Sequence, residues 1–424
     1  MAGRIPRVFI NDLLARTDIV DLIDARVKLK KQGKNYHACC PFHNEKTPSF
    51  TVNGEKQFYH CFGCGAHGNA VDFLMNYDKL EFVETVEELA AMHNLEVPYE
   101  AGSGPSQIER HQRQSLYQLM DGLNTFYQQS LMQPAATPAR QYLEKRGLSS
   151  DVITRFAIGF APPGWDNVLK RFGGNAENRK SLVDAGMLVT NDQGRSYDRF
   201  RERVMFPIRD KRGRVIGFGG RVLGDALPKY LNSPETDIFH KGRQLYGLYE
   251  AQQDNADPQR LLVVEGYMDA ISVYGAGVKN VVASLGTAFT AEHCQKLLRY
   301  APEIYFCYDS DEAGQKATIR ALSIVRDTGA IVKVIVVPDG KDPDEYIRRH
   351  GPEKFQALVR QALPLVEYRL QYVLNHVNYD TLEGKVKALH EMMPVLTGVR
   401  EVAVRSEYVK KLAQALFLDE GIVR

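Results

Sequence analysis

Short apolar segments rich in β-branched residues recur in the second half of the chain, separated by segments with helical periodicity. The apolar segments are Leu261–Val264, Val281–Thr287, Ile304–Tyr308 and Val332–Val337. The segments between them, at residues 269–275, 291–300 and 313–328, have the length and apolar spacing of helices. Strands of this composition that alternate with helices are typical of βαβ units, so we predict a buried parallel sheet.

Acidic residues follow three of these four predicted strands. In chain order they are Glu265 and Asp269, Asp309 and Asp311, and Asp339, Asp342 and Asp344. Parallel strands end at one edge of a sheet, where ligands bind, so these carboxylates should converge. Carboxylates packed together repel each other, and Mg²⁺ shared with substrate phosphates is their usual counter-charge. We therefore predict a metal-dependent phosphoryl- or nucleotidyl-transfer centre; the alternative is that single acids, such as Asp311, only cap helices.

The overall composition is that of a folded globular protein with more than one domain. The 424 residues are 44% hydrophobic and 25% charged, and a net charge of +2 favours no class of partner. No apolar segment reaches the roughly 18–20 residues of a membrane span, and none follows the N-terminus, so we expect neither membrane association nor secretion. Four of the six cysteines lie between Cys39 and Cys64, which indicates metal binding in the reducing cytoplasm.

A four-residue metal-binding pattern lies near the N-terminus. Cys40 and His43 are separated by two residues, and Cys61 and Cys64 repeat the same spacing. This gap lets two ligands on one tight turn reach the same ion, so the set predicts a tetrahedral Cys₃His zinc site. With all four positions filled by protein, one Zn²⁺ would be structural, at the tip of a small zinc ribbon. The alternative is that the four residues merely lie in a core.

Cations and aromatic rings surround this predicted site. Residues 26–37 include five lysines and arginines and no acid. The ribbon adds Lys46, Lys56, Phe50, Phe58, Tyr59 and Phe62. Cations that contact phosphates and rings that stack on bases would suit single-stranded nucleic acid. The alternatives are a solvated basic face and, for about half of the rings, burial in the core of the ribbon.

The chain divides by pattern into four predicted domains and one linker. Residues 1–100 form the zinc ribbon, and the Gly-, Ser- and Pro-rich Ala101–Ser106 opens a flexible linker assigned to residues 101–114. The remainder comprises a basic α/β subdomain over 115–243, the parallel sheet with its acids over 244–350 and a helical subdomain over 351–424. The predicted fold class is multidomain, α+β and α/β.

The predicted basic subdomain holds the densest positive charge in the chain. Residues 199–243 contain eleven lysines and arginines against five acids. Some of this charge lies on a predicted hairpin with strands Val204–Ile208 and Val215–Phe218, and the rest lies among glycines that would let phosphates approach the backbone. Cations for a nucleic-acid backbone beside carboxylates for a metal form the charge arrangement that a polymerase needs.

Several longer motifs occur in one order along the chain. They are Cys40–Phe50 with His60–Gly65; residues 199–208, 217–221 and 228–236; and Val264–Asp269 with Asp309–Gly314. The first group resembles the zinc domain of bacterial replicative primases of the DnaG type, and the second resembles the RNA-polymerase core of that family. The third is similar to the Toprim fold that primases share with topoisomerases and some nucleases. Together the motifs cover nearly all of residues 1–370.

The resemblance implies synthesis of short RNA primers from ribonucleoside triphosphates on a single-stranded DNA template, and hence binding of the RNA primer–DNA hybrid. By matching position, catalytic Mg²⁺ (or Mn²⁺) would be held by Glu265, Asp309 and Asp311, with support from Asp269, Asp342 and Asp344. The residues that would line the template and nucleotide path are Arg146, Arg199, Arg201, Arg221, Lys229, Tyr230 and Lys241. In this family the zinc module is held to help choose the start site on single-stranded DNA.

The resemblance also raises expectations about partners and rival functions. Such primases usually continue into a C-terminal helical domain that binds the replicative helicase; because this sequence stops at Arg424, we expect that domain to be absent. A single-stranded-DNA-binding protein is a further candidate partner. One rival function is a Toprim nuclease or topoisomerase, the latter with Tyr267 or Tyr308 as nucleophile. Another is a zinc-ribbon DNA-binding protein with an inactive core.

Overall fold

The computed structural model of the protein describes residues 4–100, 107–254, 259–286, 288–325, 328–338, 342–399 and 401–423. The chain forms two compact units, Met1–Gln112 and Arg113–Arg424. Residues 101–106 of the predicted linker lie outside the described residues, as does Asp339, whereas residues 107–114 belong to a helix. None of the helices in the described ranges combines the length and apolarity that crossing a bilayer requires.

The first unit contains an antiparallel sheet with helices packed on one face. Its elements are α1 (Arg7–Arg16), α2 (Ile19–Asp24), β1 (Lys30–Gln32), β2 (Asn35–Ala38), β3 (Phe50–Asn53), β4 (Phe58–Cys61), β5 (His67–Gly68), α3 (Ala70–Tyr77) and α4 (Phe82–Met92), and the strands neighbour each other in this order. On β3, Phe50 and Val52 are buried, whereas Thr51 and Asn53 are half-buried, as period-two alternation requires. The ring of Phe50 packs against Phe73 of α3. The predicted zinc-ribbon fold is confirmed.

The N-terminal part of the second unit, which begins within the helix that opens at Gln107, packs helices around another antiparallel sheet. Its elements are α5 (Gln107–Leu131), α6 (Thr137–Lys145), α7 (Ser150–Arg155), β6 (Gly159–Ala161), α8 (Asn167–Phe172), α9 (Ala176–Asp184), β7 (Leu188–Thr190), β8 (Ser196–Asp198), β9 (Arg203–Arg209), β10 (Val215–Val222), β11 (Tyr230–Asn232) and α10 (Leu248–Asp254). The main sheet has the order β11–β10–β9–β6, and β9 and β10 form the predicted hairpin.

The glycines of β10 have a different role from the one expected. A Cβ atom at Gly219 would lie 2.3 Å from the ring of Tyr267, and one at Gly217 would lie 3.2 Å from the ring of Phe239. Both rings are buried. These two glycines therefore make room for core aromatics and not for a phosphate chain.

A largely parallel sheet follows, as the sequence predicts. Its elements are β12 (Arg260–Val264), α11 (Tyr267–Gly275), β13 (Val281–Ala283), α12 (Ala291–Leu298), β14 (Glu303–Phe306), α13 (Glu312–Val325), β15 (Ile331–Val334), α14 (Pro343–His350), α15 (Pro352–Arg360) and β16 (Leu363–Pro364). Strand β12 pairs in parallel with β13 and β14, β14 pairs in parallel with β15, and the short β16 is antiparallel to β15. The carboxyl ends of β12 and β14 are therefore neighbours.

The C-terminal part of the second unit is helical, as predicted. It contains α16 (Leu365–His376), α17 (Leu382–Thr397), α18 (Val402–Leu416) and α19 (Glu420–Val423). These helices enclose a separate apolar core, with Val373, Met392, Leu412 and Leu416 almost fully buried. The predicted fold class, α+β and α/β with a helical C-terminal part, is confirmed.

Candidate functional site

Four potential ligand atoms meet between the loop after β2 and the end of β4. The Sγ atoms of Cys40 and Cys64 are 3.8 Å apart, and Nδ1 of His43 is 3.7 Å from Sγ of Cys61. All four atoms lie within 4.8 Å of one another, and across the described ranges this is the one such group of three or more His, Cys, Asp or Glu side chains. Three thiolates and one imidazole at these separations suit tetrahedral Zn²⁺.

Glu45 supports this site from outside the ligand set. Its carboxylate accepts hydrogen bonds from the N–H of Cys40 at 2.6 Å, the N–H of Ser49 at 3.0 Å and Oγ of Ser49 at 2.5 Å. It also lies 3.2 Å from Nε2 of His43, which places the hydrogen on Nε2 and leaves Nδ1 to face the thiolates. The Ser49 hydroxyl above all lowers the pKa of Glu45, so this group is a carboxylate at neutral pH.

The open face of the ribbon sheet carries a row of polar side chains that sequence reasoning missed. His37, Thr51, His60 and His67 are cross-strand neighbours on β2, β3, β4 and β5. The ring of His60 lies 4.6 Å from that of Phe62, which is 76% exposed. Nδ1 of His60 is buried and has no hydrogen-bond partner among the described residues. Period-two alternation could have identified this row, because it predicts which residues share a face.

The aromatic rings predicted to bind nucleic acid divide between core and surface. Phe50 and Tyr59 are fully buried, whereas Phe58 and Phe62 are exposed. Lys46 and Lys56 are exposed as well. The alternative of a core position therefore holds for Phe50 and Tyr59 only among these four rings.

The predicted acids collect at the carboxyl edge of the parallel sheet. Glu265 follows β12 and Asp309 follows the neighbouring β14, and the N–H of Asp309 donates to Oε1 of Glu265 at 3.2 Å. Asp269 lies on the first turn of α11, where its Oδ2 accepts from the N–H of Gly266 at 3.1 Å. Asp342 follows β15 in the chain and caps the start of α14.

Burial and mutual repulsion perturb these carboxyl groups. Burial first, and then Glu265, Asp342 and Asp311, raises the pKa of Asp309 to about 7. Burial also raises the pKa of Glu265, and it raises that of Asp269 together with the neighbouring aspartates. Within the described part of the chain, none of Glu265, Asp269 and Asp309 forms an ion pair with a lysine or arginine. Among the residues that the structure describes, the crowding of these carboxyl groups is thus not offset by a paired lysine or arginine.

Two of the acids also cap helices. Oδ1 of Asp311 accepts from the N–H of Gly314 at 2.8 Å, and Oδ1 of Asp342 accepts from the N–H of Glu345 at 2.7 Å. The capping alternative is thus realised for Asp311, which is exposed at the start of α13. Capping engages one oxygen of each carboxylate, so the second oxygen can still face a cation.

Three of the predicted nucleic-acid-binding residues gather around one tyrosine beside this centre. Cζ of Arg221 lies 4.1 Å from the ring centre of Tyr142 and 5.9 Å from that of Tyr230. Cζ of Arg146 lies 5.3 Å from the ring centre of Tyr142. Tyr230 in turn stacks on Tyr267, with ring centres 6.4 Å apart. Tyr267 is the first residue of α11, the helix that carries Asp269.

Of the other four predicted residues, Lys229 directly precedes Tyr230, whereas Arg199, Arg201 and Lys241 lie elsewhere on the second unit. Cζ of Arg201 is 4.0 Å from the ring centre of Trp165, a residue that is 62% exposed and that sequence reasoning missed. Arg199 is half-buried and its Nε donates to a main-chain oxygen at 2.7 Å. Lys229 is exposed just before β11, and Lys241 lies in a short 3₁₀ turn. A cation stacked on an exposed ring, as at Trp165, offers a face on which a base can stack.

The tyrosines of the rival topoisomerase function are inaccessible. Tyr267 is 3% exposed and Tyr308 is 6% exposed. The hydroxyl of Tyr267 donates to Oδ1 of Asn232 at 2.8 Å. A buried phenol engaged in this way cannot approach a DNA phosphate.

Four family profiles match the chain in sequence order. Their descriptions are "CHC2 zinc finger" for residues 5–104, "DNA primase catalytic core, N-terminal domain" for 126–252, "Toprim-like" for 262–347 and "DnaB-helicase binding domain of primase" for 366–421. The last match shows that the expected absence of a helicase-binding domain was wrong. The matched helices, α16 to α18, have an ordinary apolar core and no reactive side-chain pattern, so their sequence carried no chemical sign of that domain.

Relatives and solved structures agree with these matches. The DNA primase of Escherichia coli strain K12 is 71% identical over 425 residues, which cover 99% of this chain and 73% of the relative. A DnaG primase catalytic domain solved bound to single-stranded DNA is 61% identical, with a TM-score of 0.65 over 72% of this chain and 99% of that chain. The zinc-binding and RNA polymerase domains of the Aquifex aeolicus primase are 32% identical, with a TM-score of 0.62 and 98% coverage of both chains.

The matched zinc finger and the Cys₃His geometry together support a bound Zn²⁺ at Cys40, His43, Cys61 and Cys64. The relatives and the matched catalytic core support primer synthesis over the rival nuclease, topoisomerase and non-enzymatic functions. The chain belongs to the family of bacterial DNA primases, the DNA-dependent RNA polymerases that synthesise short RNA primers for DNA replication.

Proposed function

We propose that Glu265, Asp309 and Asp311 hold the Mg²⁺ (or Mn²⁺) that primer synthesis requires, with Asp269 and Asp342 at the border of the site. The carrying observation is that Glu265 and Asp309 meet at neighbouring strand ends, where the N–H of Asp309 donates to Oε1 of Glu265 at 3.2 Å; in this setting burial and three neighbouring acids raise the pKa of Asp309 to about 7. A pKa raised in this way indicates crowded carboxyl groups, whose charged form a bound cation would stabilise. Carboxylate oxygens are the ligands that Mg²⁺ prefers, and it keeps several waters, so acids more widely spaced than the zinc ligands suit it.

In this proposal Glu265, Asp309 and Asp311 would hold the divalent ion, which would supply a lower pKa for the primer 3′-hydroxyl and charge neutralisation for the triphosphate. The protein fixes the position of the carboxylates. The Asp309 N–H bond to Glu265 joins the two strand ends, and the Gly314 N–H holds one oxygen of Asp311. Asp269 is 9% exposed and adds a further buried carboxyl group on the first turn of α11.

The test is template-directed incorporation of labelled ribonucleotide by Asp309→Asn. We expect a loss of about a thousandfold or more in rate, because several kcal/mol of charge stabilisation depends on the bound ion. Affinity for single-stranded DNA should stay near that of the unmodified protein. Glu292→Gln is a matched control, since Glu292 is an exposed acid on α12, the helix between strands β13 and β14 of the same sheet. Full synthesis by Asp309→Asn at ordinary Mg²⁺ concentrations contradicts the assignment.

We propose that the template and the nucleotides approach over the basic residues of the second unit. Arg146, Arg221 and Tyr230 are nearest to the acids, where an incoming ribonucleoside triphosphate and the growing RNA primer–DNA hybrid would lie. Arg199, Arg201, Lys229 and Lys241 would guide the single-stranded DNA template. Support comes from the stacking of Arg201 on Trp165 and from the similarity to a primase catalytic domain solved with single-stranded DNA.

The open face of the zinc ribbon is proposed as the second contact with single-stranded DNA. Its cross-strand row of His37, Thr51, His60 and His67 offers hydrogen-bonding groups at the spacing of adjacent strands, and the exposed Phe62 offers a ring. The position of Phe62 supports this role, because its exposed ring lies 4.6 Å from that of His60 and can stack on a base.

We also propose that α16 to α18 contact the replicative helicase, and that the protein acts in the cytoplasm at the replication fork. The profile match over residues 366–421 supports the helicase contact. The same helices expose apolar side chains: Leu382 is 77% exposed, Val386 is 45% exposed and Phe417 is 80% exposed. Co-sedimentation of the helicase with Leu382→Ser, compared with the unmodified protein, tests this proposal. Equal binding by both proteins would show that Leu382 is not part of the helicase-binding surface.

A further inference from the structure

Asp344, two residues after Asp342, forms hydrogen bonds and ion pairs that do not suit a metal ligand. Asp344 is 1% exposed, and its carboxylate is occupied on both oxygens. Oδ1 accepts from Oγ of Ser272 at 2.5 Å, and Oδ2 accepts from Nε of Arg348 at 3.2 Å and from Nη1 of Arg146. Three donors, two of them cationic, occupy three of the roughly four lone-pair positions of this carboxylate and offset its charge, which makes it a poor ligand for an ion.

The partners of Asp344 come from three different elements. Arg146 follows the last turn of α6 in the basic subdomain, Ser272 lies on α11 one turn after Asp269, and Arg348 lies on α14 itself. Asp344 therefore joins the basic subdomain to the two helices that carry acids of the catalytic centre. A charge-assisted bond of this kind holds a flexible arginine in one orientation.

The position of Arg146 matters because Arg146 and a second cation, Arg221, both lie against the ring of Tyr142. The guanidinium carbons of Arg146 and Arg221 lie 5.3 and 4.1 Å from the ring centre of Tyr142. Two like charges over one ring repel each other, and the carboxylate of Asp344 offsets this repulsion at Arg146. Asp344 accepts from one terminal nitrogen of Arg146, so the other terminal nitrogen can donate to a phosphate oxygen.

We infer that Asp344 is a positioning residue for primer synthesis: it anchors Arg146 beside Tyr142 and Arg221 so that Arg146 meets a substrate phosphate. This inference rests on the proposed function of Arg146. The phosphate belongs either to the incoming nucleoside triphosphate or to the template backbone, which share the same chemistry. Asp344 acts through Arg146 and does not hold the divalent ion.

Steady-state primer synthesis and DNA binding by Asp344→Asn, Arg146→Ala and the double variant test the inference. Loss of one charge-assisted contact predicts an increase of about tenfold in the KM for nucleotide or in the Kd for single-stranded DNA, and which of the two increases identifies the phosphate. The two single variants should show the same change, and the double variant should be no worse than either. The Mg²⁺ concentration for half-maximal rate should not move in Asp344→Asn, whereas Asp309→Asn should raise it.

The outcomes separate the inference from the function on which it rests. If Arg146→Ala changes neither KM nor Kd, the proposed phosphate contact of Arg146 fails. If Arg146→Ala shows the change and Asp344→Asn instead raises the Mg²⁺ requirement, Asp344 is a metal ligand and the inference is overturned. Should Asp344→Asn not fold, as judged by thermal unfolding, Ser272→Ala removes one bond to the same carboxylate and should give a smaller change of the same kind; an unchanged KM and Kd in Ser272→Ala would then overturn the inference.

Discussion

The backbone N–H of Asp309 donates to Oε1 of Glu265 at 3.2 Å, and this bond joins the ends of two neighbouring parallel strands. The two carboxylates repel each other, yet the main chain of one holds the side chain of the other in place. The arrangement keeps two anions together in a fixed geometry before any cation arrives. Preorganised charge of this kind is what metal-dependent transfer of a nucleotide needs.

The raised pKa of Asp309 predicts a pH-dependent effect on stability in the absence of Mg²⁺. Its pKa rises from 3.8 to about 7 on folding, so between these pH values the folded protein binds more protons than the unfolded chain. The contribution of Asp309 to stability therefore falls as pH rises through this window. Replacing it by asparagine should stabilise the protein by about 1–3 kcal/mol near pH 8, with little effect near pH 4, after allowance for solvent screening of this half-buried group.

Denaturant unfolding of the unmodified protein and Asp309→Asn, in Mg²⁺-free buffer without chelator, measures this difference. A chelator is avoided because it would also remove Zn²⁺. Addition of Mg²⁺ should abolish the advantage of the variant, since a bound ion stabilises only the protein that can hold it. The same difference in unfolding free energy at both pH values would show that Asp309 is not strained by its neighbours.

Gly314 is expected to be indispensable because it lies against the backbone of Asp309. A Cβ atom at this position would lie 2.2 Å from the Asp309 carbonyl oxygen. Gly314→Ala should therefore displace Asp309, reduce primer synthesis strongly and lower the unfolding free energy by about 1–3 kcal/mol. Gly174→Ala is the matched control, because a Cβ atom there has nothing within 4 Å. Equal activity and stability of the two variants would contradict this packing argument.

The role of Glu45 predicts a weaker zinc site when its charge is removed. Glu45→Gln loses the charged acceptor that orients His43 and binds two main-chain N–H groups, so Zn²⁺ affinity should fall about 10- to 100-fold. Competition with a colorimetric chelator measures the affinity directly. Glu55→Gln provides the control, since Glu55 is an exposed acid on the same ribbon. Unchanged Zn²⁺ affinity in Glu45→Gln would mean that Glu45 stabilises only the conformation of the loop and not the zinc site.

Phe62 tests the proposed DNA-binding face of the zinc ribbon. Phe62→Ala should weaken binding of single-stranded DNA by about 5- to 100-fold, because one stacked base is worth roughly 1–3 kcal/mol. Phe82→Ala changes a partly exposed ring on α4 instead and should have little effect. Fluorescence anisotropy with a labelled oligonucleotide at fixed salt compares the variants. Equal losses in both would mean that the effect is not specific to the sheet face.

Much of the fold and of the acidic centre could be predicted because both follow from local pattern. Apolar β-branched segments such as Leu261–Val264 alternate with helical periodicity, and this alone indicates a parallel sheet. The topology then places Glu265 and Asp309 at one edge. The zinc ligands were predictable for a similar reason, since their spacing within two short turns determines what can reach one ion.

The remainder depended on contacts between distant parts of the chain. No local pattern shows that Asp344 is covered by Arg146, that Trp165 is exposed beneath Arg201, or that the glycines of β10 face core rings. The helicase-binding match was missed because α17 and its neighbours have only a helical core pattern, which many unrelated domains share.

Binding of Mn²⁺, followed by electron paramagnetic resonance, tests the central claim most directly, because it reports the ion itself and does not depend on turnover. The unmodified protein, with its Zn²⁺ retained, should bind Mn²⁺ at the acidic centre, and added Mg²⁺ should displace it. Asp309→Asn should lose this site while Glu292→Gln keeps it. Undiminished Mn²⁺ binding by Asp309→Asn would contradict the account.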